Sequence, residues 1–130
     1  MGEPFVYVGT WTIKAGKLEE ARKWLAEHAD FIETNEPRLI AFQVYFDEEG
    51  TTASVVQVHP DSESMEFHMQ LISEHLTDAF DYIDAIVSEQ YYGPMSESLA
   101  ETLSKWETPG VAVTKMPDHE AGFTRSNAVR

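Results

Sequence analysis

The segment from Arg38 to His59 reads RLIAFQVYF, then DEEG, then TTASVVQVH. Two runs rich in β-branched and aromatic residues flank a polar turn of four residues that ends at Gly50. Such residues favour strands, and a short polar turn ending in glycine is typical of a hairpin. The segment therefore predicts an antiparallel β-hairpin around which the other elements are arranged.

The residues before the hairpin predict one strand and one helix. In the strand, residues 5–13, alternation separates two sets of side chains: Phe5, Tyr7, Gly9, Trp11 and Ile13 on one face, and Val6, Val8, Thr10 and Thr12 on the other. Both sets are largely apolar or small, so we expect both faces to be covered. Apolar residues then recur at spacings of three and four over residues 17–34, which predicts an amphipathic helix that ends before Pro37.

The residues after the hairpin predict a second helix that begins behind Pro60, with Asp61 or Ser62 as its N-cap. Apolar residues continue at helical spacing as far as Ile83. A break near residues 73–77 is an open alternative that would divide the segment into two helices. Residues 85–92 then predict a fourth strand.

A C-terminal extension follows Gly93. Ser96 could cap a short helix that carries Leu99, Leu103 and Trp106, and residues 109–116 could form a fifth strand. We expect one domain over residues 1–116, with a core at 5–93 and an extension at 94–116. Residues 117–130 are polar and lack periodicity, which predicts a tail.

The order strand, helix, strand, strand, helix, strand is that of the α+β, ferredoxin-like split βαβ fold. Its two helices would cover one face of a four-stranded antiparallel sheet. The other face would carry either the aromatic set or the valine set of the first strand. An apolar sheet face of this size calls for a partner, so we predict a homodimer packed sheet to sheet, with the fifth strand and the tail able to reach the second subunit.

Composition excludes several classes of function. The chain has 130 residues, no cysteine and a net charge of -14, and no Lys or Arg lies between Arg38 and Lys105. Such an acidic surface would repel nucleic acids and anionic membranes, so neither is an expected partner. The first residues lack a secretory signal, and no apolar run approaches the roughly 20 residues of a membrane helix, so a cytoplasmic location is expected.

Five stretches carry a resemblance to a known family: residues 14–20, residues 35–38, the hairpin, residues 58–62 and residues 66–68. Over about residues 5–93 the chain resembles the antibiotic-biosynthesis-monooxygenase-like domains of the dimeric α+β barrel superfamily. The resemblance implies a barrel-like dimer with a cavity between helices and sheet, and a histidine at the position of His68 that faces this cavity. Members include cofactor-free oxygenases of polyphenols, haem-degrading enzymes and proteins without demonstrated activity.

Haem degradation is not expected here. The haem-degrading and quinone-forming members typically use an asparagine and a tryptophan together with the histidine. This sequence has asparagine only at Asn35 and Asn127, and neither lies inside a predicted strand of the core.

The first predicted site residue is His68, which lies on the apolar stripe between Met65 and Ile72. A histidine titrates near neutral pH and could act as a general base in the cavity. The alternative is a core histidine bonded to a backbone carbonyl. A metal site formed by His59, His68 and Glu66 would match no recognised ligand spacing, so neither a metal nor a cofactor is expected.

A second constellation could shape a pocket for a small aromatic ligand. Aromatic side chains on adjacent strands can stack a planar molecule, while polar ones orient it. The predicted ligand-binding residues are Tyr7, Trp11, Phe42, Gln43, Gln57, His59 and Tyr91. The alternative for this set is packing at the dimer interface.

These residues support three hypotheses about function. The first is a cofactor-independent monooxygenase-like protein that acts on a small planar phenolic or polyketide-like molecule, with His68 removing a phenolic proton. The second is a non-catalytic homodimer that binds a small molecule or serves as a scaffold. The third is an isomerase or lyase, which would need the same base.

Overall fold

The computed structural model describes residues 3–75 and 79–125. The order of the elements is β1 (Phe5–Ile13), α1 (Leu18–Asn35), β2 (Ala41–Phe46), β3 (Thr52–His59), α2 (Ser62–His75), a 3-10 turn (Ala79–Asp81), β4 (Ile83–Tyr92), α3 (Glu97–Ser104) and β5 (Ala112–Met116). The predicted α+β class, the hairpin and the split βαβ order are confirmed.

The five strands form one mixed sheet in the order β2-β3-β1-β4-β5. The pairs β2–β3, β3–β1 and β1–β4 are antiparallel, whereas β5 lies parallel to β4. The predicted four-stranded sheet is therefore extended by a fifth strand, which pairs with β4 of its own chain. A parallel neighbour needs a long crossover, and residues 93–111, which include α3, supply it.

The register decides which face of the sheet lies under the helices. Tyr7 is opposite Gln57 on β3 and Tyr91 on β4, and Phe42 is opposite Gln57 on its other side. These side chains share one face with the apolar residues of the helices. The core cluster contains Phe5, Tyr7, Ile32, Met65, Met69, Ile72, Tyr91, Leu99 and Leu103. The aromatic set of β1 therefore faces the helices, and its valine set, with Val6 and Val8 half-buried, faces away.

The boundary between α2 and β4 corrects the sequence prediction. The helical spacing of apolar residues in the sequence continues to Ile83, but α2 ends at His75 and β4 begins at Ile83. Ile83 pairs with Ile13, and the carbonyl of Tyr82 accepts a hydrogen bond from the amide of Lys14 at 2.8 Å. Pairing with β1 thus decides the state of Ile83, and the alternative of a break near residues 73–77 falls partly on residues outside those described. Leu76, which was part of the apolar pattern, lies outside the described residues.

Local capping holds α2 and α3 in position. Asp61 is the residue before α2, and its Oδ1 accepts from the amide of Ser64 at 3.0 Å, which confirms one of the two predicted N-caps. Ser96 caps α3 through the amide of Leu99 at 3.1 Å, also as predicted. The Ser96 hydroxyl donates to Glu66 on α2 at 2.8 Å. α3 is therefore fastened to α2, although it ends at Ser104, short of the predicted Trp106.

The remaining described residues add little regular structure. Residues 117–125 carry neither helix nor strand, and His119 contacts Glu3 at 3.7 Å. The division into a domain and a tail stays a prediction. Within residues 3–75 and 79–125, no helix is both long and apolar enough to cross a membrane. The cytoplasmic location likewise stays a prediction.

Gly9 on β1 lies directly under the ring of Tyr7. A Cβ at this position would lie 2.2 Å from the hydroxyl oxygen of Tyr7, because the Tyr7 ring lies along β1 over the glycine. We expect Gly9→Ala to lower the free energy of unfolding by about 1–3 kcal/mol, since the buried Tyr7 ring has to shift. Urea denaturation at neutral pH measures this.

The matched control for this prediction is the same substitution in a Tyr7→Ala background. With the ring removed, the added methyl group has space, so we expect most of the cost of Gly9→Ala to disappear. If Gly9→Ala lowers the free energy of unfolding equally in the two backgrounds, the Tyr7 ring is not the reason that position 9 requires glycine.

Candidate active site

A cavity of about 160 Å³ lies between the helix-facing side of the sheet and the helices. Five predicted ligand-binding residues and the predicted base line it: Tyr7, Trp11, Phe42, Gln57, Tyr91 and His68. Two predictions differ from the structure. Gln43 is exposed on the opposite face, because alternation along β2 turns it away from its neighbour Phe42. His59 is fully buried behind Gln57 and is absent from the lining.

The size of the cavity limits what it can hold. An apolar cavity of roughly 150 Å³ can accept benzene, so about 160 Å³ has room for one aromatic ring. Phe80 and Trp106, which also line it, are 54% and 38% exposed and lie where the cavity meets solvent. A larger planar molecule would therefore rest partly on this rim.

A chain of hydrogen bonds joins five buried polar side chains, of which Gln57 and His68 line the cavity. Ser64 Oγ lies 2.7 Å from His59 Nδ1, and His59 Nε2 lies 2.9 Å from Gln57 Oε1. Gln57 Nε2 lies 3.2 Å from His68 Nε2. His68 Nδ1 lies 2.6 Å from Glu36 Oε2. The chain links the end of α1, β3 and the start of α2.

The orientation of the Gln57 side-chain amide indicates which ring nitrogens of His59 and His68 carry a proton. Its Nε2 can only donate, so His68 Nε2 accepts and His68 carries its proton on Nδ1, which donates to Glu36. Its Oε1 can only accept, so His59 Nε2 carries a proton. The Ser64 hydroxyl then donates to His59 Nδ1. Every bond points consistently toward Glu36.

His59 is neutral in this arrangement. Burial lowers its pKa to about 3, because a low-dielectric environment disfavours the imidazolium, and the nearby His68 acts in the same direction. Its ring lies 5.9 Å from that of His68. His59 therefore supports the site by orienting Gln57, and does not act as the base.

Glu36 is a site residue that the sequence analysis missed. It is 3% exposed, and its Oε1 has no hydrogen-bond partner within the described part of the chain. The sequence signal was present, because Pro37 disfavours helical backbone at Glu36. Glu36 is the C-cap of α1, with φ -128° and ψ 78°. Its carboxylate meets the ring of His68 from this position.

Glu89 forms a second polar cluster in the cavity. The hydroxyl of Tyr7 donates to Glu89 Oε2 at 3.0 Å, and that of Tyr91 donates to Glu89 Oε1 at 3.2 Å. Burial, followed by the charge of Glu89, raises the pKa of both phenols above the usual value. Both tyrosines therefore stay protonated and act as donors.

Two further side chains lie near the site: His28, and Glu66 of the metal site considered from the sequence. His28 lines the cavity and stacks on Trp24 at 4.8 Å between ring centroids. Glu66 points to α3, where it accepts from Ser96 and Ser98. Among the described residues, no group of three His, Asp or Glu side chains is placed to hold a metal ion.

Comparisons with known proteins place the fold. The chain matches MupZ from Pseudomonas fluorescens with a TM-score of 0.67 and 23% identity, over 96% of this chain and 91% of that one. It matches a protein of Chloroflexus aurantiacus, provisionally assigned to the antibiotic biosynthesis monooxygenases, with a TM-score of 0.59 and 15% identity, over 72% of this chain and 95% of that one. The match to a mutant of SnoaB, a cofactor-independent oxygenase from Streptomyces nogalater, has a TM-score of 0.56 and 13% identity, over 69% of this chain and 89% of that one.

The chain therefore has the fold of the antibiotic-biosynthesis-monooxygenase-like proteins, as its resemblance predicts. The match to MupZ takes in most of the C-terminal extension, whereas the other two cover 72% and 69% of the chain. No family model and no curated protein matches the sequence.

The neutral state of His59 predicts a pH dependence of stability. Its pKa is about 3 in the folded chain and about 6.5 in the unfolded one, so the unfolded state binds a proton first as pH falls. The free energy of unfolding should fall from pH 6.5 toward pH 3, by up to about 1.4 kcal/mol per pH unit. The lowered pKa values of Asp47 and Asp61 act in the same direction, but only below about pH 4.

Urea denaturation at several values between pH 7.5 and pH 4.5 measures this dependence, and His59→Gln is the matched control. Glutamine can donate and accept but does not titrate in this range. We expect a shallower dependence in the variant, whatever its absolute stability. Identical slopes in the two proteins would contradict a buried neutral His59.

Proposed function

We propose that the chain is a cofactor-independent monooxygenase-like enzyme that acts on a small planar phenolic or polyketide-like molecule. The observation that carries this proposal is the 2.6 Å distance between Glu36 Oε2 and Nδ1 of His68, whose ring lines the cavity. A buried carboxylate that holds Nδ1–H leaves Nε2 as the basic atom and stabilises the imidazolium that forms when Nε2 takes a proton. The fold shared with SnoaB, a cofactor-independent oxygenase, supports the same chemistry.

Gln57 covers the basic atom in the absence of substrate. The 3.2 Å hydrogen bond from Gln57 Nε2 to His68 Nε2 is the longest of the four that join Ser64 to Glu36, and both Gln57 and His68 line the cavity. A phenolic hydroxyl is a stronger acid than an amide and would replace Gln57 as the donor to Nε2. Hydrogen bonds to a catalytic base commonly tighten only when substrate binds.

The proposed reaction needs only the substrate, dioxygen and the base. His68 Nε2 takes the acidic proton, and the electron-rich anion passes one electron to dioxygen. The resulting radical pair combines to a peroxide at carbon. The peroxide takes back the proton that His68 holds. Cleavage of the O–O bond, with loss of the second hydrogen of that carbon as a proton, then places one oxygen atom in a new carbonyl group and releases the other as water. A CH₂ group and O₂ thus give C=O and H₂O.

Anthrone is a suitable probe because it is planar and neutral, and its central CH₂ group is acidic. We expect the protein to accelerate its conversion to anthraquinone, with one O₂ consumed per product. His68→Gln should lower the rate by a factor on the order of 10²–10⁴, the range for a lost general base. Glu36→Gln should lower it by about 10² or more, because the imidazolium loses its counter-charge.

The matched control for both variants is Glu63→Gln on α2. Glu63 is an exposed carboxylate whose side chain is 84% accessible, and it lies outside the cavity lining. We expect it to retain the wild-type rate. If His68→Gln keeps its fold by circular dichroism and consumes oxygen at the wild-type rate, His68 is not the base.

A second candidate function is a non-catalytic small-molecule-binding protein. One observation favours it: both ring nitrogens of His68 are already bonded within the protein. Binding of anthrone without oxygen uptake would support this candidate. An isomerase or lyase would use the same base, and it would turn over its substrate without consuming oxygen.

The outer face of the sheet supports a homodimer. Val6, Val8, Val56 and Val58 are half-buried there, and no described element covers them. The alternation along their strands places Tyr45 and Met116 on the same face, and these are 58% and 59% exposed. A contiguous apolar face of this kind marks an interaction surface. We propose that a second copy packs on it sheet to sheet, giving the dimeric α+β barrel that the resemblance implies.

Val56→Asp tests the dimer, because a carboxylate buried at a sheet-to-sheet interface would be unpaired. We expect the wild type to be a dimer and the variant a monomer in native mass spectrometry. Ala26→Asp adds the same charge on the exposed side of α1 and should leave the dimer intact. A monomeric wild type at micromolar concentration would contradict the proposal.

A further inference from the structure

The Glu89 end of the cavity combines a buried carboxylate, two phenols and aromatic walls. We infer that this end binds a positively charged amine or quaternary ammonium group, so that the ligand is a small aromatic molecule that carries a cation. The inference rests on the proposed function, because it assigns a ligand class to the same cavity. It adds a positive charge to the planar aromatic ligand that the proposed function assigns to the cavity.

The first observation is the lack of a counter-charge at Glu89. The residue is 9% exposed, and no Lys, Arg or His among the described residues forms an ion pair with it. Carboxylates are almost never buried unless they are paired. The hydroxyls of Tyr7 and Tyr91 donate to its two oxygens but carry no positive charge. Since a carboxylate can accept about four hydrogen bonds, each oxygen can still accept from a ligand.

Glu36 is the internal comparison, since it is the other buried carboxylate of the site. Its Oε2 has the imidazole of His68 as a partner that can become cationic. Glu89 has phenols that burial holds in the protonated, neutral form. A cationic group of the ligand would therefore be for Glu89 the positively charged partner that a protonated His68 is for Glu36.

The second observation is the composition of the lining. Among the described residues, the lining contains no Lys and no Arg, and its histidines are His28 and His68, so an anionic ligand beside Glu89 would meet no permanent positive charge there. The chain as a whole carries a net charge of -14, which attracts cations to the mouth of the cavity. Both the local and the overall field therefore select against carboxylates and phosphates.

The third observation is the aromatic wall. Trp11, Phe42 and Trp106 line the cavity together with the two tyrosines. The Tyr7 and Tyr91 rings meet at 37° with centroids 5.3 Å apart, so they form a corner beside the carboxylate. Cations are attracted to the faces of such rings, most strongly where water is excluded, and ammonium ligands are recognised in this way.

The backbone is shaped to hold this corner. Gly9 is opposite Glu89, and its missing side chain leaves the space in which the Tyr7 hydroxyl reaches Glu89 Oε2. A register shift in the pairing of β1 with β4 leaves Val87 without a partner, two residues from Glu89. Bulges occur preferentially next to binding sites, where they re-aim a side chain.

Three probes test whether the charge of the ligand or its shape decides binding: benzylamine, benzyl alcohol and benzoate. Each carries the same phenyl ring, and they differ in the charge of the attached group. Each is titrated at pH 7.5 into the isotope-labelled full chain, and binding is followed through the amide signals of cavity residues. We expect benzylamine, a cation at this pH, to bind at least about tenfold more tightly than benzyl alcohol. Benzoate should bind more weakly than either.

Glu89→Gln assigns the preference to this residue. The variant keeps the shape of the side chain, and we expect the affinity for benzylamine to fall to that for benzyl alcohol, with the alcohol unaffected. Glu101→Gln on the exposed side of α3 removes the same charge from the surface and should retain the preference.

The outcomes separate this inference from the proposed function. If benzyl alcohol binds and benzylamine binds no more tightly, Glu89 does not select a cation and the inference is wrong, while the cavity and its base stand. If the preference survives in Glu89→Gln, another group is responsible and the inference is also wrong. If none of the probes perturbs the cavity signals, the inference and the binding cavity of the proposed function both fail. If the variant fails to fold, the wild-type comparison still tests the preference for a cation, and equal binding of benzylamine and benzyl alcohol there overturns the inference.

Discussion

The hydrogen bond between His68 and Glu36 joins the end of α1 to α2 beneath the sheet, and the arrangement of the site depends on it. Neither side chain reaches solvent, so each provides the partner that the other needs. Breaking such a pair by removing one member typically costs about 3–5 kcal/mol, because an uncompensated polar group remains buried. The same bond sets the tautomer of His68, and through Gln57 it sets the orientation of His59.

The two buried carboxylates of the site have different surroundings, and this difference separates their roles: Glu89 lines the cavity, whereas Glu36 lies behind His68. Glu36 lies against an imidazole and can stabilise a proton that arrives on it. Glu89 lies against two phenols whose raised pKa values hold them as neutral donors. One end of the cavity is therefore suited to taking up a proton, and the other to holding a charge that the ligand brings. Both carboxylates are buried, and the low dielectric constant around them strengthens both interactions.

Sequence patterns predicted most of the elements because the physical signals are local. Alternation identified β1 and the hairpin, spacing identified α1, and a hydroxyl before an apolar run identified the cap of α3 at Ser96. The patterns failed where pairing at long range overrides local preference. Ile83 continues a helical spacing, yet it joins β1, and β5 adds to β4 of its own chain. Gln43 is a different case, since strict alternation already separates it from Phe42.

The amino-acid sequence by itself determined the α+β class, the order of the core elements, the resemblance to monooxygenase-like domains and the location of His68 on a buried stripe. These follow from periodicity, caps and turns, which depend on residues close together in the chain. Only the tertiary structure decided that the aromatic face lies under the helices, that Glu36 meets His68 across 32 positions and that Tyr7 meets Glu89 across 82. Contacts at such separations depend on strand register and on how the helices pack. No local pattern encodes either of these, so the chemistry of the cavity becomes visible only in the folded chain.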